Sequence, residues 1–359
     1  MALGGGVWVT QNKVLPGTYI NFVNRTTTSA TMGERGVVAI ALPLGTTSSA
    51  KAGTVVECTV TDFLQNQETV LGNDVPENTI TVLTEIFKHA TKVYIYDSYY
   101  ESSGGSAPAV GVICAALEPY EFNVLACYTN TKADIDTYVT QIKTWRDTYG
   151  KKVQGVVYNV SDITAPNHEG IITVVNTVSD SGADPHALVA WVAGAEAACA
   201  INATCTNMIY DGNYTVVTDL TQSELEDCIE SGEFAFHLVY GDVRVLEDIN
   251  SLTTTDVDKG EDFKSNQTIR VIDQLANDVA RIFNRQFLGK VPNDADGRSS
   301  LWSVLVKYHQ DLEDMRAIEN YDSSQLTVEQ GDTMKAVVIN DVITVVNGMS
   351  QLYMTIVVQ

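Results

Sequence analysis

Positive charge is scarce in this sequence. Twenty-two Lys and Arg stand against 45 Asp and Glu over 359 residues, a formal net charge of −23. A chain this acidic is repelled by nucleic acid and by anionic membrane surfaces. Long apolar runs are also missing: none is long enough to span a bilayer, and residues 1–4 (MALG) begin no basic-then-apolar segment of signal-peptide type. The six cysteines, Cys58, Cys114, Cys127, Cys199, Cys205 and Cys228, form no C-x-x-C pair and have no flanking histidine pattern. Several sit inside apolar runs, which points to buried reduced thiols in a protein folded in the cytosol.

Catalytic signatures are absent in the same way. There is no G-x-S-x-G elbow, no H-E-x-x-H and no G-x-x-x-x-G-K-[ST] loop. The five histidines, His89, His168, His186, His237 and His309, are scattered, with no pattern that pairs one to a nucleophile and an orienting acid. Asp294-Ala295-Asp296-Gly297 resembles a fragment of a calcium loop, but the twelfth position counted from Asp294 is Leu305, where such a loop needs a carboxylate. A turn between two helices explains it more simply. Neither a cofactor nor a metal site is expected.

What is present is strand and helix rhythm. Residues 25–92 read as short strands broken by turns, with 37–42, 54–60 and 77–82 as their cores, and the economical assignment is a small β-rich domain. From 93 to 240 strands alternate with helices. Strands fall at 93–96, 123–128, 153–160, 171–175 and 234–239, and helices at 107–117, 134–149, 184–201 and 223–229. That alternation argues for an α/β layer with mostly parallel strands. The region 241–359 is α+β. It holds a strand at 243–246, a long amphipathic helix over 265–288 with Gly289 past its end, a second helix over 299–320, and two β segments at 335–346 and 350–359. Asn347-Gly348 separates these last two, the strongest short hairpin signal. This region carries 10 of the 22 cations and 18 of the 45 acids from Val245 onward.

Both termini read as strands. Gly4, Gly5 and Gly6 form a hinge before Val7-Trp8-Val9-Thr10. At the other end Leu352, Met354, Ile356 and Val358 alternate with Tyr353, Thr355 and Val357. A terminal strand exposes an unpaired edge that must be covered or paired. The hairpin signal leaves open whether the last strand pairs within its own chain, with a neighbour, or with both.

Several of these segments together resemble contractile tail sheath proteins of myophages, phage-like particles and R-type bacteriocins. They are Leu15-Pro16-Gly17-Thr18-Tyr19-Ile20-Asn21-Phe22, the stretch from Gly33-Glu34-Arg35-Gly36 to Leu44, the block from Val243 through Thr254 to Arg298, and Gln351 to Val358. The likeness is greatest to the short sheath form of Gram-positive particles such as diffocin. The resemblance implies a multidomain fold, α/β plus α+β. Residues 1–24 would be an arm joining the C-terminal domain, 25–92 an outer β-rich domain, 93–240 a subtilisin-like α/β layer without protease activity, and 241–359 the C-terminal sheath domain. It further implies exchanged terminal strands, a helical homo-oligomer of stacked hexameric rings, and partners in an inner tail tube, a baseplate and a terminator protein. Synthesis would be in the bacterial cytoplasm, with release by lysis. On the helix 299–320, Lys307, Asp311, Glu313, Asp314, Arg316 and Glu319 are the expected tube-facing residues. The alternatives are an α/β enzyme or sugar-binding protein with a β accessory domain, and a tail tube protein.

Overall fold

A computed structural model of the chain describes residues 32–44, 52–99, 107–160 and 166–358. Among them, the strands are β1 (Val37–Leu42), β2 (Val55–Thr59), β3 (Lys92–Asp97), β4 (Val124–Ala126), β5 (Gln154–Tyr158), β6 (Ile171–Val174), β7 (Glu233–Phe234), β8 (Phe236–Val239), β9 (Asp242–Val245), β10 (Ile318–Glu319), β11 (Thr327–Gln330), β12 (Val337–Asn340) and β13 (Thr344–Val345). The helices are α1 (Val60–Gln65), α2 (Gln67–Leu71), α3 (Glu77–Ile86), α4 (Val110–Leu117), α5 (Lys132–Thr144), α6 (Leu188–Ala198), α7 (Gln222–Glu230), α8 (Asn266–Ile282) and α9 (Ala295–Asp314). A π-helical turn extends α5 to Tyr149 and another extends α8 to Phe287.

Seven strands form one sheet in the order β2-β3-β1-β4-β5-β6-β7, parallel throughout except for β2, which runs antiparallel along β3 at the edge. The apolar runs of its central strands are what a sheet covered on both faces requires. Along β1, Val38, Ile40 and Leu42 enter one core with α3 and α6, while Val37 and Ala39 enter the other with α4 and α5. Helix α6 is apolar on every side and buried along its length, the pattern of an interior helix. Gly194 lets it lie against α3, since a Cβ there would sit 2.5 Å from the Ile86 carbonyl oxygen. A third core joins α8, α9 and the short strands that follow, through Val271, Ile282, Leu301, Leu305, Tyr308, Leu312 and Ile318.

The mixed α/β and α+β class is as expected, but the partition near the N-terminus is not. The strands expected at 37–42 and 54–60 exist, yet they belong to the same sheet as the α/β layer, so no separate β-rich domain closes at residue 92. The third expected element, 77–82, is part of helix α3. Its β-branched residues suggested a strand, but Thr79, Val82, Leu83 and Ile86 fall at helical spacing and are buried together. Packing on α6 overrides the local preference. The calcium-like fragment is a helix start: Asp294 caps α9, its Oδ1 accepting from the Gly297 amide at 2.7 Å.

Two C-terminal expectations also change. Helix α9 ends at Asp314, and Arg316 stands beyond it with a left-handed backbone (φ 62°). The expected Asn-Gly hairpin does not form, because among the described residues 346–358 belong to no strand.

Candidate functional site

The two ends of α8 and the segment after β13 define the site. Strand β13 pairs with β10, placing Ile318 opposite Val345 and Glu319 opposite Thr344. The Val346 amide then donates to the Ala317 carbonyl at 3.1 Å. At the next residues the chain is held by side chains from the first turn of α8. Gln267 Nε2 donates to the Val346 carbonyl at 3.0 Å, and its Oε1 accepts from the Gly348 amide at 2.9 Å. Thr268 Oγ1 lies 3.2 Å from Asn347 Oδ1 and accepts from Asn347 Nδ2 at 3.1 Å. Asn347 and Gly348 are therefore spent on a clamp and are not free to make a hairpin turn.

Beyond the clamp the chain loses its partners. Among the described residues no backbone hydrogen bond joins residues 349–358 to the rest of the molecule. Leu352, Tyr353, Met354, Ile356, Val357 and Val358 are each 70–89% exposed, on both faces of the alternating pattern. Burying a single side chain of this size contributes about 1.5–3 kcal/mol, so a contiguous run of them in water marks a surface made for association. The expected N-terminal arm, Val7, Trp8, Val9 and Thr10 with its hinge Gly4, Gly5 and Gly6, lies outside the described residues.

Helix α8 carries the opposite pattern on its inner side. Arg270 is fully buried, its Nη2 donating to Glu196 Oε2 at 2.6 Å and Asp248 Oδ2 at 3.2 Å, and its Nη1 to the Ala203 carbonyl at 2.7 Å. Glu196 and Asp248 meet at the same Arg270 Nη2, and Glu196 Oε1 and Asp248 Oδ1 are buried without a hydrogen-bond partner among the described residues. Burial and the Asp248 charge push Glu196 well above the carboxylate range. Asp248, for which burial alone would act upward, is held below that range by the Arg270 guanidinium. These opposite directions favour a neutral Glu196 and an ionised Asp248 beside Arg270. One turn further on, Asp273 receives Arg146 in a two-pronged pair at 2.5 and 2.9 Å, the geometry that suits a guanidinium. Tyr308 and Gln274 bond to the buried Asp278 at 2.8 and 2.9 Å. The Arg270–Glu196 and Arg146–Asp273 pairs join the sheet layer to the C-terminal core.

Two clusters of metal-ligating groups occur among the described residues, and both are committed elsewhere. In Asp147, His168 and Glu169, the Glu169 carboxylate already holds Lys259 Nζ at 2.9 and 3.0 Å. His168 Nδ1 accepts from the Gly170 amide at 3.0 Å, which places the ring proton on Nε2, facing Asp147. In Glu196, Cys205 and Asp248, the cation is Arg270. The histidines are dispersed: His89 meets Asp211, His309 meets the Leu305 carbonyl and Asp341, and His186 packs edge-on to Tyr128. Among the described residues no histidine ring nitrogen bonds a serine hydroxyl or a cysteine thiol. All six cysteines are free, and five are buried.

The residues expected to face a tube lie along the second half of α9 and on the segment just after it. Lys307 and Asp311 pair along α9, Glu313 accepts from the Tyr321 amide at 3.1 Å, Asp314 ends the helix, and Glu319 lies on β10. Sequence reasoning missed Arg146, Glu196, Asp248, Arg270 and Asp273. One signal was there to be read: Glu196 is a lone carboxylate within the apolar stretch 187–201, where an isolated charge needs a partner.

Residues 105–251 match the family model of the phage tail sheath protein central domain, and residues 258–359 that of the phage tail sheath C-terminal domain. The phage-like element PBSX protein XkdK of Bacillus subtilis is 31% identical over 255 residues, which is 67% of this chain and 54% of that protein. The chain spans about half the length of the curated relatives it matches. The crystal structure of a sheath tail protein from Desulfitobacterium hafniense is similar with a TM-score of 0.76 at 25% identity, over 93% of this chain and 98% of that one. The anti-feeding prophage helical sheath in its contracted state shares the fold, with a TM-score of 0.72 at 14% identity over 96% and 99% of the two chains.

Proposed function

The chain belongs to the phage tail sheath family and is a structural sheath subunit; we propose that its copies polymerise around an inner tube and contract to drive that tube through a cell envelope. The observation that carries this reading is the C-terminal segment, clamped at Asn347 and Gly348 and unpaired with its apolar residues exposed from Leu352 to Val358. In the proposed assembly it adds as a strand to a neighbouring subunit. Main-chain hydrogen bonds supply connection and the alternating side chains supply register. Residues 7–10 play the matching role at the other end, with Gly4, Gly5 and Gly6 as their hinge.

The α/β sheet serves in this reading as a subtilisin-like layer with no catalytic duty, lying outward of the C-terminal core. Fold likeness to a contracted helical sheath and to an anti-feeding prophage baseplate assembly favours self-association in rings and attachment to a baseplate. The tube, the terminator protein, cytoplasmic assembly and release by lysis complete the role, in a phage or in a bacteriocin of the diffocin kind. No nucleotide is required. Subunits assembled in a long lattice release free energy when they reach better contacts in a short one, and differential contacts of even a few kcal/mol per subunit sum over many copies. The tube-facing role of Lys307, Asp311, Glu313, Asp314, Arg316 and Glu319 is narrowed to the exposed members near the end of α9.

Negative-stain microscopy of the purified chain tests the reading. Full-length protein is expected to form hollow cylinders, and deletion of residues 354–359, or Ile356→Pro, to leave folded monomers because ladder hydrogen bonds are lost. Normal cylinders from the deletion would overturn strand exchange, and narrow tubes from the intact chain would favour a tube protein.

A further inference from the structure

A chain so poor in cations places five of them around one cleft. The cleft, about 520 Å³, opens at the N-terminal ends of β1, β3 and β4 beside the last turns of α8, and Lys92, Lys151, Lys152, Arg281 and Arg285 line it. Three carboxylates also line it, but all three are occupied. Glu34 pairs with Lys92 at 3.3 Å, Glu121 with Arg281 at 3.2 Å, and Glu118 accepts from the Trp145 indole at 2.9 Å. Among the described residues Lys151, Lys152 and Arg285 have no ion-pair partner. Lys151 donates only to the carbonyls of Glu118 and Tyr120, and Lys152 to that of Arg146. Burial draws the Lys151 ammonium down to about 8.

The complementary surface is equally uneven. From residue 153 to residue 243 there is no Lys or Arg, against 13 Asp and Glu. Within that stretch α7 is exposed on nearly every side, with only Cys228 buried. Glu224 is used in its own capping box with Thr221. Glu226, Asp227 and Glu230 share the outer face at helical spacing and form no ion pair among the described residues. Helix α7 leads into β7, the far edge strand, four places from β1 in the sheet. At about 4.8 Å per strand that is roughly 19 Å, so α7 cannot swing into the cleft of its own chain.

We propose that the cation-lined cleft receives the acidic outer face of α7 from a second copy of this chain. Each copy then offers one cleft and one α7, a head-to-tail contact that closes into a ring or runs on as a helical array according to its rotation. The inference rests on the sheath-subunit reading and adds a lateral contact independent of the C-terminal segment. It also makes assembly salt-dependent, because the charges on α7 are exposed.

The test is charge exchange at low salt, read as the polymer fraction in sedimentation and by microscopy. Lys152→Glu with Arg285→Glu is expected to lower that fraction at least tenfold, as is Glu226→Lys with Asp227→Lys and Glu230→Lys. Both sets combined in one chain are expected to restore at least half of it. Unaltered polymerisation by either set, or no restoration in the combination, would overturn the pairing. Circular dichroism and thermal melts check each monomer, and a variant that fails to fold is replaced by Lys152→Gln with Arg285→Gln or by Glu226→Gln with Asp227→Asn and Glu230→Gln, which are expected to lower the fraction at least threefold. Sensitivity to deletion of residues 354–359 with indifference to charge exchange would refute the α7 contact and leave the sheath reading standing. Intact chain that never polymerises would refute both.

Discussion

Helix α8 and the segment that follows β13 touch at the clamp, and they depart from the ordinary partition of side chains in opposite directions. The inner face of α8 buries Arg270, Asp273 and Asp278, and each of those charges meets a partner within the same chain. Residues 352–358 expose apolar side chains, and among the described residues their only side-chain hydrogen bond is the local one from the Tyr353 hydroxyl to Gln351. The first region is complete in the monomer. The second, in the proposed assembly, is completed by another molecule. Stability and assembly are therefore encoded on separate residues, a few ångströms apart at Gln267 and Gly348.

That separation can be broken by measuring monomer stability. Arg270→Ala, which strands the buried Asp248 carboxylate, is expected to cost about 3–5 kcal/mol in urea unfolding. Deleting residues 354–359 is expected to cost less than about 0.5 kcal/mol, the scale of surface changes, while abolishing assembly. A large stability loss from the deletion would show that the segment packs on its own chain. Glu196→Gln sharpens the proton assignment. If Glu196 already holds a proton, the neutral amide costs below about 1 kcal/mol, whereas a loss as large as that of Arg270→Ala would show an ionised Glu196.

The smallest effect is in pH. Burial holds His168 and His186 below the ordinary 6.5, so the folded rings stay neutral where the unfolded chain begins to take up protons. Stability is accordingly full above about 6.5 and falls as pH drops through that value toward the lower folded values. Between pH 7.5 and 5.5 the urea midpoint is expected to fall, and His186→Gln, whose Nδ1 has no partner to lose, to reduce the slope by less than about 1 kcal/mol.

Much of the fold was legible because local pattern and tertiary setting agree. The apolar run at 37–42, the helical stripe from Ile269 to Ile282 and the Gly150 stop after the 134–149 helix needed no knowledge of their neighbours. Residues 77–82 were misread because Thr79, Ile80, Thr81 and Val82 suit a strand when considered alone, and only burial against α6 decides for a helix. Asn347-Gly348 failed for a related reason: its hairpin preference is worth little against four hydrogen bonds to Gln267 and Thr268. The alternation at 352–358 was visible from the start. The proposed partner was not, since any pairing between copies leaves no trace in the spacing of one chain. The ion pairs of Arg270 and Asp273 were hidden because they join residues 22 to 127 positions apart.

The clamp has a mechanical consequence. A pull along residues 349–358 reaches Asn347 and Gly348 before it reaches β13, and there it loads several side-chain bonds together on the first turn of α8. Bonds loaded in parallel must fail at once, whereas the two-residue ladder of β10 and β13 could peel open one rung at a time. Tension drawn through a neighbour would thus pass into the axis of α8, and from Arg270 and Asp273 into the sheet, so that the whole subunit turns as one lever while its short terminal strands stay unloaded.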